Sequence, residues 1–153
     1  MKTIQVNVKR LKNSEGLDLP KYATEMSAGA DVLAAIYKDI NLAPGKRVLI
    51  PSGIAIALPK GFEVQIRPRS GLAIKHGITC LNAPGTIDPD YRGEILIILI
   101  NHGEENFKIL RGMRIAQLIL KPVNSILWLE VDTLNKTIRG SKGFGSSGIN
   151  IKK

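Results

Sequence analysis

Val48-Leu49-Ile50-Pro51-Ser52-Gly53-Ile54-Ala55-Ile56-Ala57-Leu58-Pro59-Lys60-Gly61-Phe62-Glu63-Val64-Gln65-Ile66-Arg67 decides the fold class. Three short apolar runs follow one another, and each break carries a proline and a glycine. Val48 to Ile50 is closed by Pro51-Ser52-Gly53, and Ile54 to Leu58 by Pro59-Lys60-Gly61. In the third run Phe62, Val64 and Ile66 alternate with Glu63, Gln65 and Arg67, the period of a strand with one buried face. Branched aliphatic residues between evenly spaced turn signals predict an all-β sandwich or jelly roll.

The pattern continues outward. Ile95 to Ile100 is continuously apolar and Ile115 to Leu120 nearly so, followed by Pro122. A run without polar alternation predicts a strand covered on both faces. In a chain of 153 residues one of the two covers of Ile95–Ile100 is expected to be a second copy. Helix–strand alternation and internal repeats are both missing. One short helix is expected, with Ser70 capping it, Leu72 to Lys75 in its turns and Gly77 closing it. Arg67 and Arg69 flank its start, where backbone N–H groups suit an anion.

Composition narrows the function classes. The length suits one domain with a real core. Aromatic residues are only 5%, so that core is aliphatic. Cys80 is the single cysteine, which excludes an internal disulfide framework and a cysteine metal cluster. Met1 to Val8 alternates like a strand and does not read as a signal peptide, and no run has membrane-spanning length. A soluble, reducing, cytoplasmic setting is expected. The net charge of +9 favours anionic partners. The lysines are scattered and aromatics do not interleave with them, so no stable nucleic-acid partner and no membrane partner is expected.

Two stretches carry chemistry. Leu81-Asn82-Ala83-Pro84-Gly85-Thr86-Ile87-Asp88-Pro89-Asp90-Tyr91-Arg92-Gly93 reads as a long loop that holds acid, amide and aromatic groups together. Asp88 suits a general base on water, with Asp90 as the competing acid. Asn82 and nearby backbone suit the edge of a base, and Tyr91 the face of a sugar. The second stretch, Arg139-Gly140-Ser141-Lys142-Gly143-Phe144-Gly145-Ser146-Ser147-Gly148, has nothing periodic to bury and reads as a flexible arm that orders on a ligand. Its arginine suits a phosphate and its phenylalanine a flat ring, which together suggest a nucleotide. The GxGxxG inside it is not a dinucleotide fingerprint, since it neither follows a strand nor opens a helix within a longer unit. Asp31, within Ala28-Gly29-Ala30-Asp31-Val32, is an acid in a small apolar strand and needs a partner, a water or an arginine. His76 and His102 lack ligand spacing and read as surface or turn histidines.

These segments occur in the order and spacing of a known family. With Ala28–Val32, Arg67-Pro68-Arg69-Ser70-Gly71-Leu72-Ala73, Asn82 to Gly93, Gly112-Met113-Arg114-Ile115-Ala116-Gln117-Leu118-Ile119 and Arg139 to Gly148, the chain closely resembles the homotrimeric dUTPases nearly end to end. The resemblance implies a jelly-roll subunit in a trimer, with three active sites each built from all three subunits. It implies a β-domain over 1–136 and a closing arm over 137–153.

It also implies hydrolysis of dUTP to dUMP and pyrophosphate with Mg²⁺. That reaction limits uracil incorporation into DNA and supplies dUMP for dTTP synthesis. By position, Asp88 would activate the water that attacks the α-phosphorus. Asn82 and the Gly85-Thr86-Ile87 segment would bind uracil, and Tyr91 would pack against the deoxyribose. Arg69, Ser70, Gly71 and Gln117 would hold phosphates and water, with Asp31 in support. Arg139, Phe144, Gly145 and Ser146 would close over the nucleotide. No direct protein ligand to Mg²⁺ is expected, because that ion keeps several waters and binds through substrate phosphates. Two positions depart from the family pattern, Lys142 for a common glycine and Val32 for a common leucine; neither removes a catalytic group. The competing readings are a dCTP deaminase-like enzyme of the same fold and a non-catalytic regulatory trimer.

Overall fold

The structure, a computed structural model, describes residues 3–143. Its strands are β1 (Asn7–Arg10), β2 (Lys21–Tyr22), β3 (Ala30–Leu33), β4 (Ile40–Leu42), β5 (Arg47–Pro51), β6 (Ile54–Ala57), β7 (Phe62–Arg67), β8 (Ile78–Cys80), β9 (Gly85–Ile87), β10 (Leu96–Asn101), β11 (Phe107–Ile109) and β12 (Arg114–Pro122). One α-helix, α1 (Ser70–His76), lies between β7 and β8, and a single 3-10 turn spans Lys12–Ser14. The expected all-β jelly-roll sandwich with a single short helix is the observed fold.

The three opening runs become β5, β6 and β7, yet none of them pairs with another. β5 pairs with β10, β6 with β1, and β7 with β12 and β9. Each proline–glycine break therefore moves the chain to a different sheet. Gly53 shows why glycine is needed at the first break. Its φ is +72°, and a Cβ there would stand 2.9 Å from both Ser14 Cα and Ala35 Cβ.

The largest sheet has the order β2-β3-β12-β7-β9, and a second has the order β5-β10-β8. Between them lies an aliphatic core that includes Val32, Ile50, Ile78, Ile95, Ile97, Leu99, Ile109 and Ile115, all essentially fully buried. Each such Ile or Leu contributes about 1.5–3 kcal/mol relative to exposure. Asn101, buried in this core, donates its amide to the Leu42 and Glu105 carbonyls and accepts from the Gly103 N–H, so its polar atoms are satisfied.

Two expectations need correction. Ser70 does not cap α1. The cap position is Arg69, in extended conformation and without a side-chain cap bond, and Ser70 is the first helical residue. Gly77 does close the helix, in the left-handed region at φ 66°, with its N–H on the Ala73 carbonyl. The segment 81–93 is not all loop, because Gly85–Ile87 pairs with Val64–Ile66 as β9. Turn-forming neighbours on both sides hide this strand of three residues. His76 and His102 are exposed, as expected; the His76 ring lies tilted against Phe107, 5.1 Å between centroids.

β10 alternates. Ile97, Leu99 and Asn101 are fully buried, whereas Leu96 is 37% exposed and Ile98 and Ile100 are half-buried. The chain covers one face of this strand well and the other only in part. Beyond Pro122, residues 123–143 contain no strand or helix, and Leu127, Trp128, Leu129 and Leu134 are each more than 80% exposed.

Candidate functional site

Register assembles a polar row at one end of the five-stranded sheet. Lys21, Asp31, Gln117 and Arg67 are successive cross-strand partners on β2, β3, β12 and β7. Directly paired residues share a face, so the four side chains stand in line. A β-bulge adds to this row. β12 changes register between Arg114 and Ala116, which breaks the two-residue alternation. Arg114 and Gln117, three residues apart, would fall on opposite faces of a regular strand. Here the Arg114 guanidinium reaches Asp31 at 3.2 Å and Gln117 sits directly across from Asp31.

Asp31 is the hub. One carboxylate oxygen takes Arg69 Nε at 2.9 Å and the other takes Arg114 at 3.2 Å. Its side chain is only 14% exposed, so these pairs are screened less than surface pairs. Of the partners open in the sequence, arginine is the one observed. Arg69 also donates to the Arg114 carbonyl at 3.2 Å, which fixes its guanidinium on two sides. Gln117 donates its amide to the Pro68 carbonyl at 3.0 Å. It also packs so closely on Gly29 that a Cβ there would collide with its side chain.

Ala23, Ser27, Ala28, Gly29, Asp31, Arg69, Ser70, Gly71 and Gln117 line a cavity of about 290 Å³. Four of the expected phosphate residues, Arg69, Ser70, Gly71 and Gln117, thus meet Asp31 in one place. Donors of one fixed guanidinium, a hydroxyl and the first N–H groups of α1 make this cavity fit for an anion.

The base-and-sugar residues stand elsewhere. The link from β8 to β9 carries the chain between sheets, and Asn82 folds over buried Gly85, where an added Cβ would lie 3.1 Å from Asn82 Nδ2. Thr86 is exposed and Ile87 buried, in keeping with strand alternation. After β9 the Tyr91 N–H donates to the Asp88 carbonyl at 3.2 Å, closing a turn. Arg92 holds that turn through the Pro89 and Tyr91 carbonyls at 2.7 and 2.9 Å. Asp88 lines a shallow, open depression with Leu58, Lys60, Pro89, Asp90 and Arg92, not the anion cavity.

Register measures the gap. Ile87 pairs with Val64, so Asp88 follows opposite Glu63, whereas Arg67 ends β7 next to the cavity. Four residues of strand separate those positions, roughly 14 Å at 3.4 Å per residue. Arg69 lies two residues further on. Arg69 is held on Asp31, which lies three strands across the sheet from β9, so Asp88 and Arg69 of one chain stand in separate places.

Arg139 donates to the Lys142 carbonyl at 2.9 Å within a local turn. Phe144, Gly145 and Ser146 lie outside the described residues. Sequence reading named neither Arg114 nor Glu94 as a site residue. Arg114 was signalled by an acid in need of a cation, and the bulge hid the pairing. Glu94 accepts from Asn13 at 2.8 Å and from the Gly53 N–H at 2.7 Å, long-range contacts that no local pattern announces.

The fold and cavity define a β-sandwich with an anion pocket at one end of a sheet and an acid-bearing loop at a distance from it. Comparison with known proteins makes this specific. The dUTPase family matches residues 15–148. The chain is 57% identical over 150 residues to the deoxyuridine 5'-triphosphate nucleotidohydrolase of Maricaulis maris, covering 97% of this chain and 99% of the relative. It is 59% identical over 149 residues to that of Rickettsia felis, covering 97% and 100%. Among solved structures, the dUTPase of Staphylococcus bacteriophage 80alpha with dUpNHpp superimposes with a TM-score of 0.81 at 26% identity, covering 96% of this chain and 100% of that one. The chain belongs to the dUTPase family.

Proposed function

We propose that the protein hydrolyses dUTP to dUMP and pyrophosphate at a site completed between subunits. The family match over 15–148 and the relatives named deoxyuridine 5'-triphosphate nucleotidohydrolase support the reaction. The observation that carries the shared site is the gap of roughly 14 Å or more between Asp88 and the Arg69 cavity, read from the strand register. A homotrimer brings the loop of one chain to the cavity of another. The half-covered face of β10 and the exposed apolar side chains of 126–134 supply surface for that assembly.

In this reading the triphosphate lies in the cavity against Arg69, Ser70, Gly71 and Gln117, and Asp31 keeps Arg69 aimed. Asn82 and the Gly85–Ile87 strand of the neighbouring chain read uracil, and Tyr91 packs on the deoxyribose. Asp88 takes a proton from water as the water oxygen bonds to the α-phosphorus. The bond from that phosphorus to its bridging oxygen breaks, and pyrophosphate leaves with the pair. Positioning and charge stabilisation supply most of the acceleration in such a displacement. The arm, 137–153, closes over the nucleotide with Arg139, Phe144, Gly145 and Ser146.

Mg²⁺ is the proposed cofactor. Among the described residues no three His, Cys, Asp or Glu side chains cluster as a metal site, and both Asp31 oxygens hold arginines. That donor set fits an ion carried by substrate phosphates and water, with Asp31 reached through water. When bound, the ion supplies charge neutralisation on the phosphates. No described helix is long and apolar enough to cross a membrane; a cytoplasmic site of action belongs to the proposal.

A pyrophosphate-release assay across dUTP, dCTP, dTTP and UTP tests the reading. Turnover of dUTP alone is expected, and in ¹⁸O-water the label enters dUMP rather than pyrophosphate. Deamination of dCTP, or no turnover of any nucleotide, overturns it.

A further inference from the structure

We infer that Gly93 and Glu94 are positioning residues that set where the Tyr91 ring stands, and through it the choice between deoxyribose and ribose nucleotides. The inference rests on the proposed role of Tyr91 and adds residues that act only through it.

The Tyr91 ring does not point freely into solvent, although the residue is 41% exposed. It folds back over its own chain. Its O–H donates to the Glu94 carbonyl at 2.9 Å. Its ring lies directly on Gly93: a Cβ at position 93 would collide with the hydroxyl oxygen and stand 2.6 Å from Cζ and 3.0 Å from Cε2. Real Cβ contacts do not come this close, so a methyl group at 93 must displace the ring. Gly93 is not among the glycines with positive φ. Its backbone therefore suits alanine, and the missing side chain serves the ring rather than the turn.

Glu94 supplies a fixed anchor. Its carboxylate accepts from the Asn13 amide at 2.8 Å and from the Gly53 N–H at 2.7 Å, tying this end of the loop to two distant parts of the sandwich. The next residue, Ile95, is fully buried and donates its N–H to the Ile54 carbonyl at 2.9 Å. The carbonyl that receives the tyrosine hydroxyl therefore belongs to a rigid part of the fold. From the other side, the Tyr91 N–H is held by the Asp88 carbonyl. The residue is thus held at its backbone N–H and at its ring hydroxyl, with the glycine giving the ring room. A ring so held can exclude a 2′-hydroxyl, whereas a ring free to swing would yield to it.

The test measures the ratio of kcat/KM for dUTP to that for UTP in Gly93→Ala, Tyr91→Ala and the double variant, with thermal midpoints in parallel. Gly93→Ala is expected to lower the ratio by at least about fivefold, or about 1 kcal/mol at 1.36 kcal/mol per tenfold. In the Tyr91→Ala background the same substitution is expected to change the ratio by less than about twofold, because no ring remains to displace. A loss of stability without ring displacement would lower both activities and leave the ratio alone. An unchanged ratio in Gly93→Ala, with a collapsed ratio in Tyr91→Ala, overturns the inference and leaves the role of Tyr91 standing. An unchanged ratio in Tyr91→Ala overturns the sugar role itself. A fall in ratio of equal size in both backgrounds shows that Gly93 does not act through the ring. If Gly93→Ala does not fold, Tyr91→Phe tests the hydroxyl anchor alone: a lowered ratio supports it and an unchanged one overturns it.

Discussion

The anion cavity and the 82–93 loop lie on the same five-stranded sheet, yet they are built in opposite ways. In the cavity, side chains hold one another. Asp31 binds Arg69 and Arg114, Gln117 binds the Pro68 carbonyl, and cross-strand pairing sets the row. In the loop, the holding groups are backbone carbonyls, engaged by the Tyr91 N–H, the Arg92 guanidinium and the Tyr91 hydroxyl, and the acid and amide side chains are left to present. Asp88 and Tyr91 are joined through a carbonyl and an N–H, and the Asp88 and Asn82 side chains are exposed. Preformed ion pairs suit a highly charged group whose position must not drift. Presented groups suit the base and sugar of a nucleotide held, in the proposed shared site, by another chain.

The sharpest way to break this comparison is Asp88→Asn. It keeps shape and removes the proton acceptor, so turnover is expected to fall about 10²–10⁴-fold while dUMP affinity, read by calorimetry, stays within a few-fold. Near-normal turnover would pass the role to Asp90 or another group. On the cavity side, Arg69→Gln removes a fixed donor and is expected to cost about 10²–10³ in rate, with dUMP and pyrophosphate product ratios unchanged. Asp31→Asn is expected to follow it in the same direction with a smaller effect, since Arg69 keeps the Arg114 carbonyl. An Asp31→Asn loss as large as that of Arg69→Gln would give Asp31 a part beyond holding the arginine.

Chain truncation before Arg139 is expected to leave the melting curve unchanged and to reduce dUTP hydrolysis by about 10²-fold, measured by pyrophosphate release. Tyr91→Ala is expected to narrow the dUTP-to-UTP preference by roughly 5–150-fold, the worth of about 1–3 kcal/mol for a buried hydroxyl without a partner. The smallest effect belongs to neither region. Burial pushes the Cys80 thiol up to about 11, so at pH 8 the folded protein is expected to resist thiol-labelling reagents that react fully once it is unfolded.

Much of the fold was legible because its signals are local. Val64 and Ile66 alternate with polar neighbours over six residues, and that period alone gives the strand and its buried face. Gly77 marks the helix end through its own conformation. What stayed hidden depends on distant contacts. Nothing near Val48 to Arg67 says that β5, β6 and β7 pair with β10, β1 and β12 instead of one another. The half-covered face of β10 does not follow from a run in which every residue is apolar. For the site, residue types indicated Asp31 and its need for a partner, while Arg114 as that partner required the bulge. The exposure of Leu127, Trp128 and Leu129 was equally unreadable, since an apolar stretch looks the same whether its cover lies in its own chain or in a neighbour.

The strand register that separates Asp88 from Arg69 has a consequence for mixtures. If each site draws its acid from one chain and its arginine from another, two inactive proteins can repair each other. Asp88→Asn chains still carry a sound cavity, and Arg69→Gln chains still carry a sound loop. Unfolded together in equal amounts and refolded, they should form hybrid assemblies in which about one site in four receives both intact halves. Activity would return from two dead preparations to about a quarter of the unmodified level, and it would stay absent when the preparations are mixed without exchange of chains. A doubly substituted chain, refolded in the same way with either single variant, would restore nothing.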